Sequence, residues 1–206
     1  MRTRINLDRR RSPVQRRLAA RGRGQALVEF ALVFPIFILI FFGIIEFSFL
    51  FNAELSLNYA TRDAALVAAE GGNNANADCL ILLKIDEDLN PPTAEGNITQ
   101  VHIYSATEGG DQLATPKEQI YTRGGTTTCG SISAPYTIVG APGNYPYNIR
   151  CSDLDRTTCS AGFTGPSNTG VDIIGVQIDY AYRFVTPMGT TINMTVSNAM
   201  RMEPVL

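Results

Sequence analysis

The sequence predicts an α+β protein: a long N-terminal membrane-spanning helix continuing into a small antiparallel β-sheet domain with disulfide-stapled loops. Three observations predict it. Residues 22–51, GRGQALVEFALVFPIFILIFFGIIEFSFLF, are almost wholly apolar and follow an arginine-rich start. Residues 174–197 alternate apolar and polar positions about a short turn, and all four cysteines lie beyond the apolar run.

The helix comes first. Residues 26–51 would cover roughly 39 Å at about 1.5 Å per residue, more than the ~30 Å hydrocarbon core of a bilayer. A secretory signal also has a basic front, but its apolar part is usually about 7–15 residues and ends in small residues. Here the run ends in Phe49, Leu50 and Phe51, which favours an uncleaved anchor or a leader removed ahead of the run. The first 24 residues carry nine arginines against one acid, Asp8, whereas residues 52–206 carry eight bases against sixteen acids. Basic flanks stay on the cytoplasmic side. The expected organisation is therefore a basic cytoplasmic leader at 1–24, a transmembrane helix at 25–51, a helix extension at 52–71 and an extracytoplasmic, mainly-β domain at 72–206. An arginine cluster set directly against a membrane segment speaks for topology, so no nucleic acid is expected as a partner.

Ala, Leu and Glu dominate residues 52–70, with neither Gly nor Pro, so the helix should continue there. Leu55, Tyr59, Arg62 and Leu66 recur at helical spacing, and Ala60, Ala64, Val67 and Ala68 form a second face of small residues. Gly71, Gly72, Asn73 and Asn74 supply a stop. The result is one long helix, or two bent at Pro35 or Gly43. Arg62 and Asp63 belong to the exposed helix face or to its packing on the sheet.

Beyond the stop the chain reads as mainly β. The apolar run 80–85, LILLKI, is one short candidate strand; residues 98–105, 119–123 and 136–139 are others. The hairpin at 173–202 carries the clearest pattern: Ile174, Val176, Ile178, Tyr180, Tyr182 and Phe184 alternate with small or polar residues, and Ile192, Met194 and Val196 resume after the turn TPMG. Two strands alone are not stable in water, so the hairpin needs further strands or a helix, and the second half of the N-terminal helix is the natural partner. Residues 140–170, rich in Gly, Pro, Asn, Ser and Thr, read as a surface loop.

Cys79, Cys129, Cys151 and Cys159 fall on the side that topology places outside the cytoplasm, where disulfides persist. Four cysteines permit three pairings. Cys151 with Cys159 would close a short loop and leave Cys79 with Cys129. No C-x-x-C pair is present and the single histidine, His102, has no cysteine near it, so no metal or other cofactor is implied. Nor does any G-x-S-x-G elbow, P-loop or H-E-x-x-H motif suggest an enzyme.

The opening Gly-Gln-Ala-Leu-Val-Glu-Phe, Pro35 after it, the run Gly43-Ile-Ile-Glu46-Phe and the run Ala60-Thr-Arg62-Asp-Ala-Ala together resemble the TadE family, the pseudopilin-like proteins of tight-adherence (Flp type IVb) pilus systems. The resemblance covers residues 22–69, and residues 196–204 are similar to that family's usual last strand. It implies a pilin-like fold and a minor pseudopilin role. It also implies a prepilin peptidase that cuts after a Gly five residues before a Glu. Gly24 and Glu29 stand in that register, which makes Gln25 the mature N-terminus; Gly22 is not a rival, because Leu27 lies five positions on. Phe30 stands where major prepilins more often have Tyr. A scissile glycine calls for a small residue with extended backbone where the helix leaves the cytoplasmic face.

Glu29 either complements the start of the helix dipole or, by the resemblance, neutralises the α-amino group of a neighbouring subunit and sets its register. Glu46 lies about 25 Å farther along the helix, near the outer interface, where a partner helix or plain solvation would satisfy it. Pro35, Gly43 and Glu46 are the candidate helix-packing positions. Expected partners are the bacterial inner membrane, the prepilin peptidase, and other pilin-type helices and pilus assembly proteins. Two alternatives stand beside the pseudopilin: an uncleaved single-span scaffold of the assembly machine, and a membrane-anchored ligand-binding ectodomain with a pocket lined by Tyr104, Tyr180 and Tyr182.

Overall fold

Residues Pro13–Gly71 form one α-helix, α1, which passes through Gly24, Pro35 and Gly43 without interruption. In the computed structural model the described residues are 13–89, 93–113, 117–139, 145–150, 172–186 and 189–202, with backbone alone for 13–23. Two compact units divide between Ile45 and Glu46.

Among the described residues the first unit, up to Ile45, is helix alone. Leu27, Phe30, Leu32, Phe37 and Ile44 are each 60–71 % exposed. A stretch that is apolar on every side is the pattern of a buried or membrane-spanning helix. Among the described residues α1 is the one helix long and apolar enough to cross a membrane.

The second unit begins at Glu46. Here α1 lies on a five-stranded antiparallel sheet built from β1 (Ile98–Ser105), β2 (Glu118–Cys129), β3 (Ile132–Ile138), β4 (Ile173–Arg183) and β5 (Thr191–Arg201). The strand order is β3-β2-β1-β4-β5. Ala53, Leu57, Ala60, Ala64 and Ala68 share one helix face and are fully buried. They join Val101, Ile103, Val176, Ile178 and Tyr180 in one core. Small side chains let the helix backbone come close to the sheet, and Asn198 Nδ2 on β5 reaches Thr61 Oγ1 at 2.7 Å. The face bearing Leu55, Tyr59, Arg62 and Leu66 is exposed instead. The hairpin expectation holds: β4 and β5 pair without a register shift from Ile173↔Arg201 to Arg183↔Thr191.

The run 80–85 is not a strand. It lies inside a second helix, α2 (Ala77–Asp88), whose buried Asp78, Ile81, Leu82 and Ile85 fall at i, i+3, i+4 and i+7. Four adjacent apolar residues, Leu80 to Leu83, fit either period, and only the wider window, with Lys84 outside and Ile85 inside, shows the helical one. Lys84 pairs with Asp88 at 2.8 Å and Glu87 at 3.3 Å on its outer side. Two features tie α2 to the β2–β3 hairpin. Cys79 is bonded to Cys129, and Asn76 Oδ1 accepts the Ser131 amide at 2.9 Å. Gly130 has a φ of +55°, and a Cβ there would collide with Asn76 Oδ1, so the turn demands glycine twice over.

The segment 140–170 differs from its surface-loop reading where it is described. Tyr145 is fully buried and Arg150 is 3 % exposed. Arg150 Nη2 meets Asp78 Oδ1 at 2.6 Å, Tyr121 Oη donates to Asp78 Oδ2 at 2.7 Å, and Tyr145 Oη donates to Asp172 Oδ2 at 3.2 Å. The Arg150 guanidinium also stacks over the Tyr145 ring at 5.2 Å. A buried charge needs such a partner set. The composition of this stretch gave no hint that two of its residues enter the core.

Candidate functional site

Glu46 is the first residue of the second unit and is 6 % exposed. It is neither solvated nor turned to a foreign helix. Its Oε1 accepts from Tyr182 Oη at 2.8 Å and from the Val185 amide at 3.1 Å, while Oε2 accepts from the Thr186 amide at 2.9 Å. Three donors on one carboxylate make charge-assisted bonds that pin the β4–β5 connection to α1. Burial, then the Glu46 carboxylate, pushes the Tyr182 phenol above its usual range. Phe184 packs edge-on against Tyr182 at 5.6 Å and folds over Gly189, where any Cβ would strike the ring. The alternation of β4 placed Tyr182 on the buried face, but nothing local in the sequence joins it to Glu46.

At the start of α1 the residues proposed for processing are exposed. Gly24 is helical, whereas the sequence reading expects extended backbone; each Gly costs a helix about 1 kcal/mol, and Gly22 and Gly24 together do not break one that continues on both sides. No side chain or backbone lies within 4 Å of where a Cβ would stand at Gly24 or Gly43. Gln25 Nε2 donates to Glu29 Oε1 at 3.1 Å, one turn along. Pro35 is likewise exposed and leaves α1 unbroken.

The three tyrosines of the ligand-binding alternative do not share a pocket. Tyr104 lies on the outer face of the sheet, its Oη donating to Gly110 O at 3.2 Å. Tyr180 and Tyr182 lie on the helix face, where Tyr180 Oη accepts from the Ala94 amide at 3.0 Å. His102 sits across three strands between Glu118 Oε2 at 3.1 Å and Asp179 Oδ2 at 3.2 Å. Among the described residues no group of three or more His, Cys, Asp or Glu could hold a metal ion. Cys79 and Cys129 are joined, with Cα atoms 5.7 Å apart; Cys151 and Cys159 lie outside the described residues.

No curated protein and no solved structure matches the chain. A protein-family comparison does find a match, and it falls on the stretch that holds Gly24, Glu29, Pro35, Gly43 and Glu46. Residues 24–66 match the family model described as TadE-like protein, and this segment of the chain is TadE-like.

Proposed function

We propose that the chain is a minor pseudopilin of a tight-adherence pilus assembly system, a structural component rather than an enzyme. Residues 25–51 hold it in the bacterial inner membrane, with the arginine-rich start in the cytoplasm and the sheet domain outside. Its partners are a prepilin peptidase, which hydrolyses the Gly24–Gln25 peptide bond, and other pilin-type helices, which pack against the exposed apolar surface of α1. The observation that carries this reading is the TadE-like match, which opens at Gly24, five residues before Glu29.

The helical backbone at Gly24 favours a second reading, the uncleaved single-span scaffold, since a peptidase would first have to unwind the site. One experiment decides between them. The membrane form, purified from cells carrying the pilus system, is sequenced from its N-terminus beside a Gly24→Ala control. Gln25 as first residue in the parent, and the intact start in the control, support the pseudopilin; an intact start in both supports the scaffold.

A further inference from the structure

The turn between β4 and β5 has a feature that the anchoring reading does not use: Val185 is 67 % exposed although the amides of Val185 and Thr186 are held by a buried carboxylate. A surface valine on a loop is ordinary in water. Its place is not. Within the anchor at 25–51, residues 26–45 as helix already cover about 30 Å, the thickness of the hydrocarbon core, so Glu46 follows at its outer boundary and 46–51 reach into the headgroup layer. The hydrogen bonds from Tyr182, Val185 and Thr186 then fix the turn at the same depth.

We infer that the β4–β5 turn seats in the headgroup region of the bilayer that α1 leaves, giving the outer domain a second membrane contact through Val185. The inference rests on the reading of α1 as a membrane anchor. The occupant of this surface is lipid, for three reasons. The anchor that delivers the turn to this depth is apolar from Phe30 to Ile45. Phe47, 67 % exposed, and Phe51, 53 % exposed, follow Glu46 on the helix within about 8 Å, and Ile192, 39 % exposed, lies at the start of β5 after the turn. Arg183, exposed at the end of β4, is placed to reach lipid phosphate. An apolar tip next to a cation is the composition of an interfacial contact.

The chain contains no tryptophan, so a single introduced indole is a unique probe. Three full-length variants are reconstituted in phosphatidylcholine/phosphatidylglycerol vesicles with or without bromine on the lipid chains near the headgroup: Val185→Trp, Leu39→Trp and Glu108→Trp. Glu108 lies on the β1–β2 connection, at the far end of the sheet, since Ser105 pairs with Ile174 and the turn follows Arg183. The expected result is bromine-dependent loss of emission, with a blue shift, at both Leu39 and Val185 and none at Glu108. Loss at Leu39 with Val185 behaving like Glu108 overturns this inference and leaves the anchor standing. No loss at Leu39 overturns the anchor, and the inference with it.

Discussion

Tyr182 Oη donates a 2.8 Å hydrogen bond to Glu46 Oε1, joining the end of β4 to a helix residue 136 positions earlier in the chain. The same carboxylate takes two backbone amides that no β-ladder serves. Tyr182→Phe removes one donor and leaves the carboxylate with two, whereas Glu46→Ala strands both amides and the phenol. Losing a partner of a buried polar group costs about 1–3 kcal/mol. Denaturant unfolding of the full chain in detergent should show Glu46→Ala as the larger loss. The double variant should cost less than the sum of the singles, because both remove the same contact. Strict additivity would show that the two side chains do not interact in solution.

The Cys79–Cys129 disulfide closes a loop of 50 residues and fastens α2 to the hairpin that covers it. Cross-links of this span contribute about 2–4 kcal/mol, chiefly by restricting the unfolded chain. Cys129→Ser should therefore lower the unfolding midpoint, and reductant should do the same to the parent while leaving the variant's midpoint nearly unmoved. Peptide mapping without reduction should recover one fragment holding both cysteines. Recovery of Cys79 joined to Cys151 or Cys159 would contradict the structure.

What the sequence discloses about this fold is local pattern. The β4–β5 hairpin announces itself because period-two alternation is written within each strand. The buried face of α1 is harder to read. Leu55, Tyr59 and Leu66 are the larger apolar residues, yet Ala60, Ala64 and Ala68 face the sheet, because the close approach of helix and sheet selects small side chains. α2 escaped because the adjacent apolar residues Leu80 to Leu83 carry no period of their own. Glu46 and Arg150 were illegible for a different reason. Each finds its partner across the fold, at Tyr182 and Asp78, and long-range pairing of charge leaves no trace in nearby residues.

Arg150 and Asp78 form an ion pair from which water is excluded: the arginine side chain is fully buried and that of the aspartate is 8 % exposed. Breaking such a pair by removing one partner costs about 3–5 kcal/mol, since the survivor is left charged in the interior. Arg150→Met and Asp78→Asn should each destabilise the sheet domain by amounts of that order. Combining them should recover part of the loss, because neither charge then lacks its partner. Thermal unfolding of the four proteins checks this; a double variant weaker than the two losses summed would argue that Arg150 is held by something other than Asp78.

Three buried tyrosines give the sheet domain a sensitivity to alkali. Burial raises the pKa of Tyr121, Tyr136 and Tyr145, and the carboxylates of Asp78, Asp86 and Asp172 beside them raise it further. In the unfolded chain each phenol ionises near its ordinary value of about 10. The folded state thus holds protons that the unfolded state gives up, and linkage makes stability fall with rising pH in that window. The contribution is complete below about pH 10 and is lost progressively above it. Denaturation midpoints should be level from neutral pH to that point and then decline. Phenolate absorbance from these three residues should appear together with unfolding rather than before it. A midpoint that stays level well above that point, or phenolate appearing in the folded protein, would mean that these hydroxyls are open to water and that the hydrogen bonds to Asp78, Asp86 and Asp172 do not hold.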